Sequence, residues 1–159
     1  MQRWIMPVVL ALVVLGAGAA IGTVSSAPLL VVRNPSPSMP TGWYLRVPLE
    51  PAVGRIVVID PPIAAQVAGW PANIPLIKPV AAAGGDHVCL RDRTIVLINS
   101  TSAALKRSDA NWNGCRTLED GELFLLAPAR IDSVDSRVFG PVSRSDVIGV
   151  FVPLWTEIQ

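Results

Sequence analysis

Arg55-Ile56-Val57-Val58-Ile59-Asp60 sets four β-branched residues between two charges, and three other runs share its form: residues 94–99 (Thr-Ile-Val-Leu-Ile-Asn), 122–127 (Glu-Leu-Phe-Leu-Leu-Ala) and 147–152 (Val-Ile-Gly-Val-Phe-Val). Each is short, rich in strand-favouring side chains and bounded by Gly, Pro, Asn or Asp, which reads as strand. Eleven of the 15 prolines fall between Pro28 and Pro79. An interior proline removes a helix donor and clashes with the preceding turn, so no long helix fits there. The pattern predicts one all-β domain of partly barrel-like or sandwich form. Between the strands, residues 61–77 are uncharged and carry four prolines, which predicts an extended apolar loop or lid. Residues 99–115 are polar and read as a surface excursion.

The chain has 159 residues, 51% hydrophobic and 16% charged, against roughly 25% charged in an average soluble domain. The deficit is concentrated: residues 4–32 carry no charge at all. A hydrocarbon core about 30 Å thick takes ~20 apolar residues as a helix, so this run can span. Arg3 is the only charge before it, which keeps the amino terminus cytoplasmic and exports everything beyond. Residues 1–32 therefore read as a membrane anchor or signal segment, and residues 33–159 as the exported domain. Ala17-Gly18-Ala19 offers a leader-type cleavage site as the alternative to a retained anchor. The composition excludes a helical bundle, a multidomain enzyme and a fully cytosolic globule. A net charge of +1 with scattered basic residues argues against nucleic-acid binding.

Two cysteines, Cys89 and Cys115, and a single histidine, His87, are too few and too poorly spaced for a zinc site. In an oxidising compartment two thiols pair, and closing this loop would contribute roughly 3 kcal/mol in the chain-entropy model. A Cys89–Cys115 disulfide is expected. His87 follows Gly84-Gly85-Asp86 in a turn context that suits a solvated side chain better than a catalytic one.

The two lysines stand in contrasting settings. Lys106 lies in the charged stretch Lys106-Arg107-Ser108-Asp109, whereas Lys78 follows 17 uncharged residues. At its ordinary pKa near 10.4 only about one lysine in 2,500 is neutral at pH 7. Burial lowers that pKa, and Lys78 alone has surroundings that could impose it; a snorkelling side chain is the competing reading. In Asn34-Pro-Ser-Pro-Ser-Met-Pro-Thr-Gly-Trp-Tyr44, prolines stiffen the backbone around Ser36 and Ser38, and Gly42 permits a turn or close approach. Read alone, the same segment is equally a linker.

Three blocks resemble, in order, those of membrane-bound serine signal peptidases, most closely the TraF-type conjugative branch. Residues 35–44 fit S-x-P-x-G-x-Y. Residues 77–86 (Ile-Lys-Pro-Val-Ala-Ala-Ala-Gly-Gly-Asp) resemble the lysine block, and residues 133–142 (Ser-Val-Asp-Ser-Arg-Val-Phe-Gly-Pro-Val) the S-x-D-S-R-x-x-G-P-V box. The resemblance implies a signal-peptidase-like β domain behind a single transmembrane helix. It implies Ser38 as nucleophile and Lys78 as general base, without cofactor or metal. The Ser38 N–H and the Ser36 hydroxyl would hold the oxyanion. Ser133 would orient the lysine, Arg137 would pair with Asp135, and Asp135 would support the site or act more directly. The implied substrate is an exported precursor, most often a prepilin, processed at the periplasmic face of the bacterial inner membrane. Cyclisation by transpeptidation is one outcome. Two departures stand out: Ala83-Gly84 stands where the family commonly has proline before the Gly-Asp turn, and Pro79 follows the lysine, which brings local strand pairing into question. Competing readings are a general type I signal peptidase and a catalytically silent component of the conjugation machinery. The single residue between Ser38 and Pro40 disfavours the former, because housekeeping enzymes carry one more there.

Overall fold

The computed structural model describes residues 28–91, 94–98, 113–127 and 130–157. The expected anchor and most of the polar excursion, including Lys106, lie outside the described residues. Among the described residues, ten strands form two antiparallel sheets. The larger holds β1 (Val31–Asn34), β2 (Gly42–Val47), β3 (Ile56–Ile59), β4 (Leu76–Ala83), β8 (Glu122–Leu125), β9 (Val142–Ser143) and β10 (Val147–Thr156), in the order β1-β2-β10-β3-β4-β8-β9. The smaller holds β5 (His87–Arg91) between β6 (Thr94–Ile98) and β7 (Gly114–Thr117). All four expected runs are strands. The fold is mostly β rather than all-β. A short helix α1 (Ile63–Val67) occupies part of the expected apolar loop, and a second, α2 (Ser136–Phe139), falls in the third sequence block.

Strand β3 is buried on both faces. Val57 and Ile59 pack with Ala65, Leu76, Val80, Leu123 and Leu125, while Val58 turns to Tyr44, Ile77 and Phe151. A strand covered on both sides has no solvent face to supply polar residues, hence its unbroken apolar run. Along β4, alternation puts Leu76, Lys78 and Val80 on one face. Lys78 is therefore set in the apolar row that packs with Val57, its partner in the ladder.

Pro79 disturbs less than its chemistry suggests. Strand β4 pairs with β3 through residues 76–79 and with β8 through residues 80–83. The missing N–H thus falls where the strand changes partner. Cys89 and Cys115 form the expected disulfide, joining β5 to β7 at positions directly opposite in register.

Gly42 opens β2 at φ 141°, and a Cβ there would lie 2.2 Å from the Trp155 carbonyl oxygen and 2.7 Å from the Thr156 Cα. Both obstacles are backbone of β10, so they cannot rotate away. Gly42→Ala is expected to destabilise the domain by more than ~2 kcal/mol, read as a lower urea midpoint with an unchanged m-value.

Candidate active site

The loop Pro35–Thr41 joins β1 to β2, whose ends face one another at Asn34 and Gly42. Asn34 organises it from beneath. Its Nδ2 group donates to the carbonyls of Ser36 (2.9 Å), Met39 (3.2 Å) and Pro40 (3.1 Å), and its Oδ1 accepts from the Ser36 N–H at 3.1 Å. The last bond is an Asx turn, in which a side chain stands in for a backbone turn. The buried Tyr44 donates its hydroxyl to the Pro40 carbonyl at 2.7 Å, and burial pushes its phenol pKa up. The loop is thereby held at both shoulders of Ser38. Removing the Asn34 amide strips donors from three carbonyls, so Asn34→Ala is expected to lower stability by about 2–3 kcal/mol in urea unfolding.

Ser38 and Lys78, 40 residues apart in sequence, meet at this point. Lys78 Nζ donates to Ser38 Oγ at 2.6 Å. The residues are 4% and 1% exposed, so the contact is nearly free of water. Burial in the apolar row pulls the Lys78 pKa down to about 8; the Asp135 carboxylate opposes the change and the Arg137 guanidinium adds to it. Snorkelling is thus overturned, because the ammonium end does not reach solvent. Ser36 Oγ lies 3.0 Å from Ser38 Oγ, and the Ser38 N–H donates to Ser36 Oγ at 3.4 Å. With those two donors 3.4 Å apart, a single oxygen can lie within hydrogen-bond reach of both.

Behind this group, Asp135 and Arg137 form an ion pair, both fully buried. Arg137 Nε donates to Asp135 Oδ1 at 2.8 Å and Nη2 to Oδ2 at 2.7 Å. The Arg137 N–H also reaches Oδ1 (3.2 Å), and the Ala127 N–H reaches Oδ2 (3.1 Å). A carboxylate offers about four lone-pair positions, and all of them are occupied. The same guanidinium donates from Nη2 to the carbonyls of Ala127 (3.1 Å) and Arg130 (2.8 Å). Ser136 Oγ accepts from the Leu125 N–H at 2.9 Å. These bonds tie α2 to the end of β8 and to the following loop. Ser133, also buried, lines a cleft of about 240 Å³ together with Ser36, Ser38 and Lys78.

The six positions expected from the sequence blocks thus converge on one region. Asn34 lies just ahead of the first block, and an Asn two residues before a serine N–H, with proline between, carries the Asx-turn signal. Trp70, which also lines the cleft, lies in none of the three blocks. Among the described residues, His87, Cys89 and Cys115 bring potential metal-ligand atoms within 4.8 Å of one another. Both sulfurs are committed to the disulfide, so thiolate ligation is closed to them.

A family model described as signal peptidase, peptidase S26, matches residues 1–155. The chain belongs to this family. It is 29% identical over 166 residues to the plasmid transfer protein TraF of Escherichia coli, covering 91% of this chain and 94% of that protein. A solved signal peptidase I from Enterococcus faecalis is 21% identical, with TM-score 0.42, covering 64% of this chain and 97% of the other. Within this family member, the buried Ser38 and the buried Lys78 are in direct hydrogen-bond contact.

Proposed function

We propose that this protein is a membrane-anchored serine endopeptidase that cleaves exported precursors through a Ser38–Lys78 dyad, with the pilin precursor of a conjugative system as substrate. The observation that carries the reading is the 2.6 Å contact between Lys78 Nζ and Ser38 Oγ in a site that pulls the lysine pKa down to about 8. At pH 7 roughly one such lysine in ten is neutral, against about one in 2,500 for an ordinary lysine. The neutral amine takes the proton from Ser38 Oγ, the alkoxide attacks the scissile carbonyl, and the ammonium returns the proton to the leaving amine. The Ser38 N–H and the Ser36 hydroxyl donate to the oxyanion. One such donor is typically worth roughly 3 kcal/mol in the transition state. Ser133 orients the lysine from the cleft wall. With its acceptor positions filled, Asp135 acts with Arg137 as a positioning pair.

The resulting acyl-enzyme is resolved by water or by an amine. When the amine is the precursor's own amino terminus, the product is a cyclic peptide. Similarity to a plasmid transfer protein favours a conjugative substrate over bulk secretory precursors. Membrane-proximal work is favoured by the outer face of β1, β2 and β10. There Val31, Leu45 and Val152 lie in cross-strand register, Trp43 lies opposite Trp155, and all five are exposed. This face adjoins the end of the uncharged run.

The test is processing of the pilin precursor in cells carrying the wild type or Ser38→Ala. The wild type is expected to yield mature pilin and Ser38→Ala only precursor, with equal amounts of folded protein. Normal maturation in the variant would overturn the dyad. The mass of the mature pilin reports the fate of the acyl-enzyme, because a cyclic product is lighter than the linear one by one water.

A further inference from the structure

Among the described residues, one cluster of sulfur and imidazole donors lies on the smaller sheet, outside the three sequence blocks. Strands β5 and β7 pair with Cys89 opposite Cys115 and His87 opposite Thr117. Side chains two residues apart share a face of a strand, and opposed residues share it across the ladder. His87, Cys89, Cys115 and Thr117 therefore stand on one face. A ring nitrogen of His87 and the two sulfurs all lie within 4.8 Å of one another. The Thr117 hydroxyl oxygen is 3.4 Å from His87 Nδ1, close enough to orient the ring. Cys89 is buried and Cys115 exposed, so a solute reaches the group from the Cys115 side.

This donor set suits zinc once the sulfurs are thiolates. Tetrahedral zinc takes thiolate sulfur at ~2.3 Å and imidazole nitrogen at ~2.0–2.1 Å, which sets neighbouring ligand atoms roughly 3.5–3.8 Å apart. The imidazole then has about 1.3 Å to close at most, and reduction frees the sulfurs to part. Two thiolates neutralise a divalent cation, and the fourth position is left to water, as in zinc sites with three protein ligands. Spacing along the chain conceals the set, because strand register rather than a paired-cysteine motif assembles it.

We propose that the dithiol form of Cys89 and Cys115 holds one zinc ion together with His87, and that the disulfide closes this site. The proposal does not depend on the peptidase reading. The dithiol exists in the newly made chain before oxidation, and a dithiol reductant regenerates it. The reductant's thiolate bonds to Cys115 Sγ, and Cys89 Sγ leaves as a thiolate. The reductant's second thiol then displaces Cys115 Sγ. Two electrons and two protons pass to the protein, and the reductant ends as a disulfide. On zinc binding the two sulfurs release their protons to solvent.

The experiment uses the full chain in detergent, reduced with a phosphine so that no competing thiol is present, with cobalt(II) as optical probe and zinc as competitor. Reduced wild type is expected to take up one cobalt, with a sulfur-to-metal charge-transfer band and the intense visible bands of four-coordinate cobalt. One equivalent of zinc is expected to bleach both. The disulfide form is expected to show neither. His87→Ala is expected to weaken zinc binding by at least about tenfold, and Cys115→Ser to abolish the one-to-one complex. Thermal melts separate a folded site from thiols on an unfolded chain. With zinc about a hundredfold above Kd, the melting temperature of reduced wild type is expected to rise by at least about 5 °C over the same protein in chelator. At the same zinc concentration His87→Ala is expected to gain about half of that or less. If the reduced chain is unfolded without metal, zinc is expected to restore its circular dichroism. Absence of the charge-transfer band, an affinity unchanged in His87→Ala, or zinc that neither raises the melting temperature nor restores the fold would each overturn the proposal.

Discussion

Lys78→Met is expected to lower kcat/KM for precursor cleavage by at least about 10⁴-fold while making the domain more resistant to heat at pH 7. The two effects share one cause. Lys78 sits in the apolar row between Leu76 and Val80, and its pKa falls from 10.5 to about 8. Between those values the unfolded chain binds more protons than the folded one, so stability rises with pH across the window. Below pH 8 the deficit is fully present. It amounts to about 3 kcal/mol, from 1.36 kcal/mol per tenfold. Met fills a similar volume without a charge, and the lost hydrogen bond to Ser38 Oγ costs about 1 kcal/mol. The net gain is about 2 kcal/mol, a rise in melting temperature of roughly 5–8 °C. Thermal melts of both proteins at pH 7 and pH 10 check it: the advantage of Lys78→Met shrinks at the higher pH. In the wild type the same group predicts that kcat/KM climbs about tenfold per pH unit up to about 8 and then levels. A profile flat from pH 6 to pH 9 would remove Lys78 as the base.

What the sequence disclosed depended on how each residue's role is encoded. The runs at Ile56–Ile59 and Glu122–Leu125 were visible because buried strands are apolar without interruption. Strand β4 was obscured because it carries a lysine and a proline, both uncommon within sheets. Lys78 is tolerated because its partner is Ser38, and Pro79 because pairing changes hands beside it. Helix α1 has only five residues, too few for a 3.6-residue period to show against four surrounding prolines. The disulfide followed from cysteine number and compartment, without geometry. The Ser38–Lys78 contact could not come from propensity at all, since it joins a loop to a strand 40 residues away; three spaced blocks disclosed it. Trp70 carried no comparable signal. It comes to line the cleft only once the chain is folded, and cavities have no one-dimensional trace.

Arg137→Ala is expected to be the most destabilising single change at the site, by about 3–5 kcal/mol. The Asp135 carboxylate would remain fully buried, keeping two backbone donors but losing both guanidinium bonds. The carbonyls of Ala127 and Arg130 would lose a donor as well. Arg137→Lys recovers little, because one ammonium cannot span two carboxylate oxygens and two carbonyls as a planar fork does. A double-mutant cycle with Asp135→Ala separates the pair from its surroundings. The doubly substituted protein is expected to be more stable than the sum of the single losses predicts, by at least about 1 kcal/mol. The pair also acts on Lys78 at a distance, and with opposite signs: Asp135 holds the lysine pKa up and Arg137 holds it down. Asp135→Asn, assayed below its lowered melting transition, is therefore expected to cleave precursor with the alkaline-rising limb of kcat/KM displaced to lower pH. A carboxylate that itself carried protons in the reaction would behave differently. Its loss would remove the activity and leave no limb to displace, and that result would transfer Asp135 from positioning to chemistry.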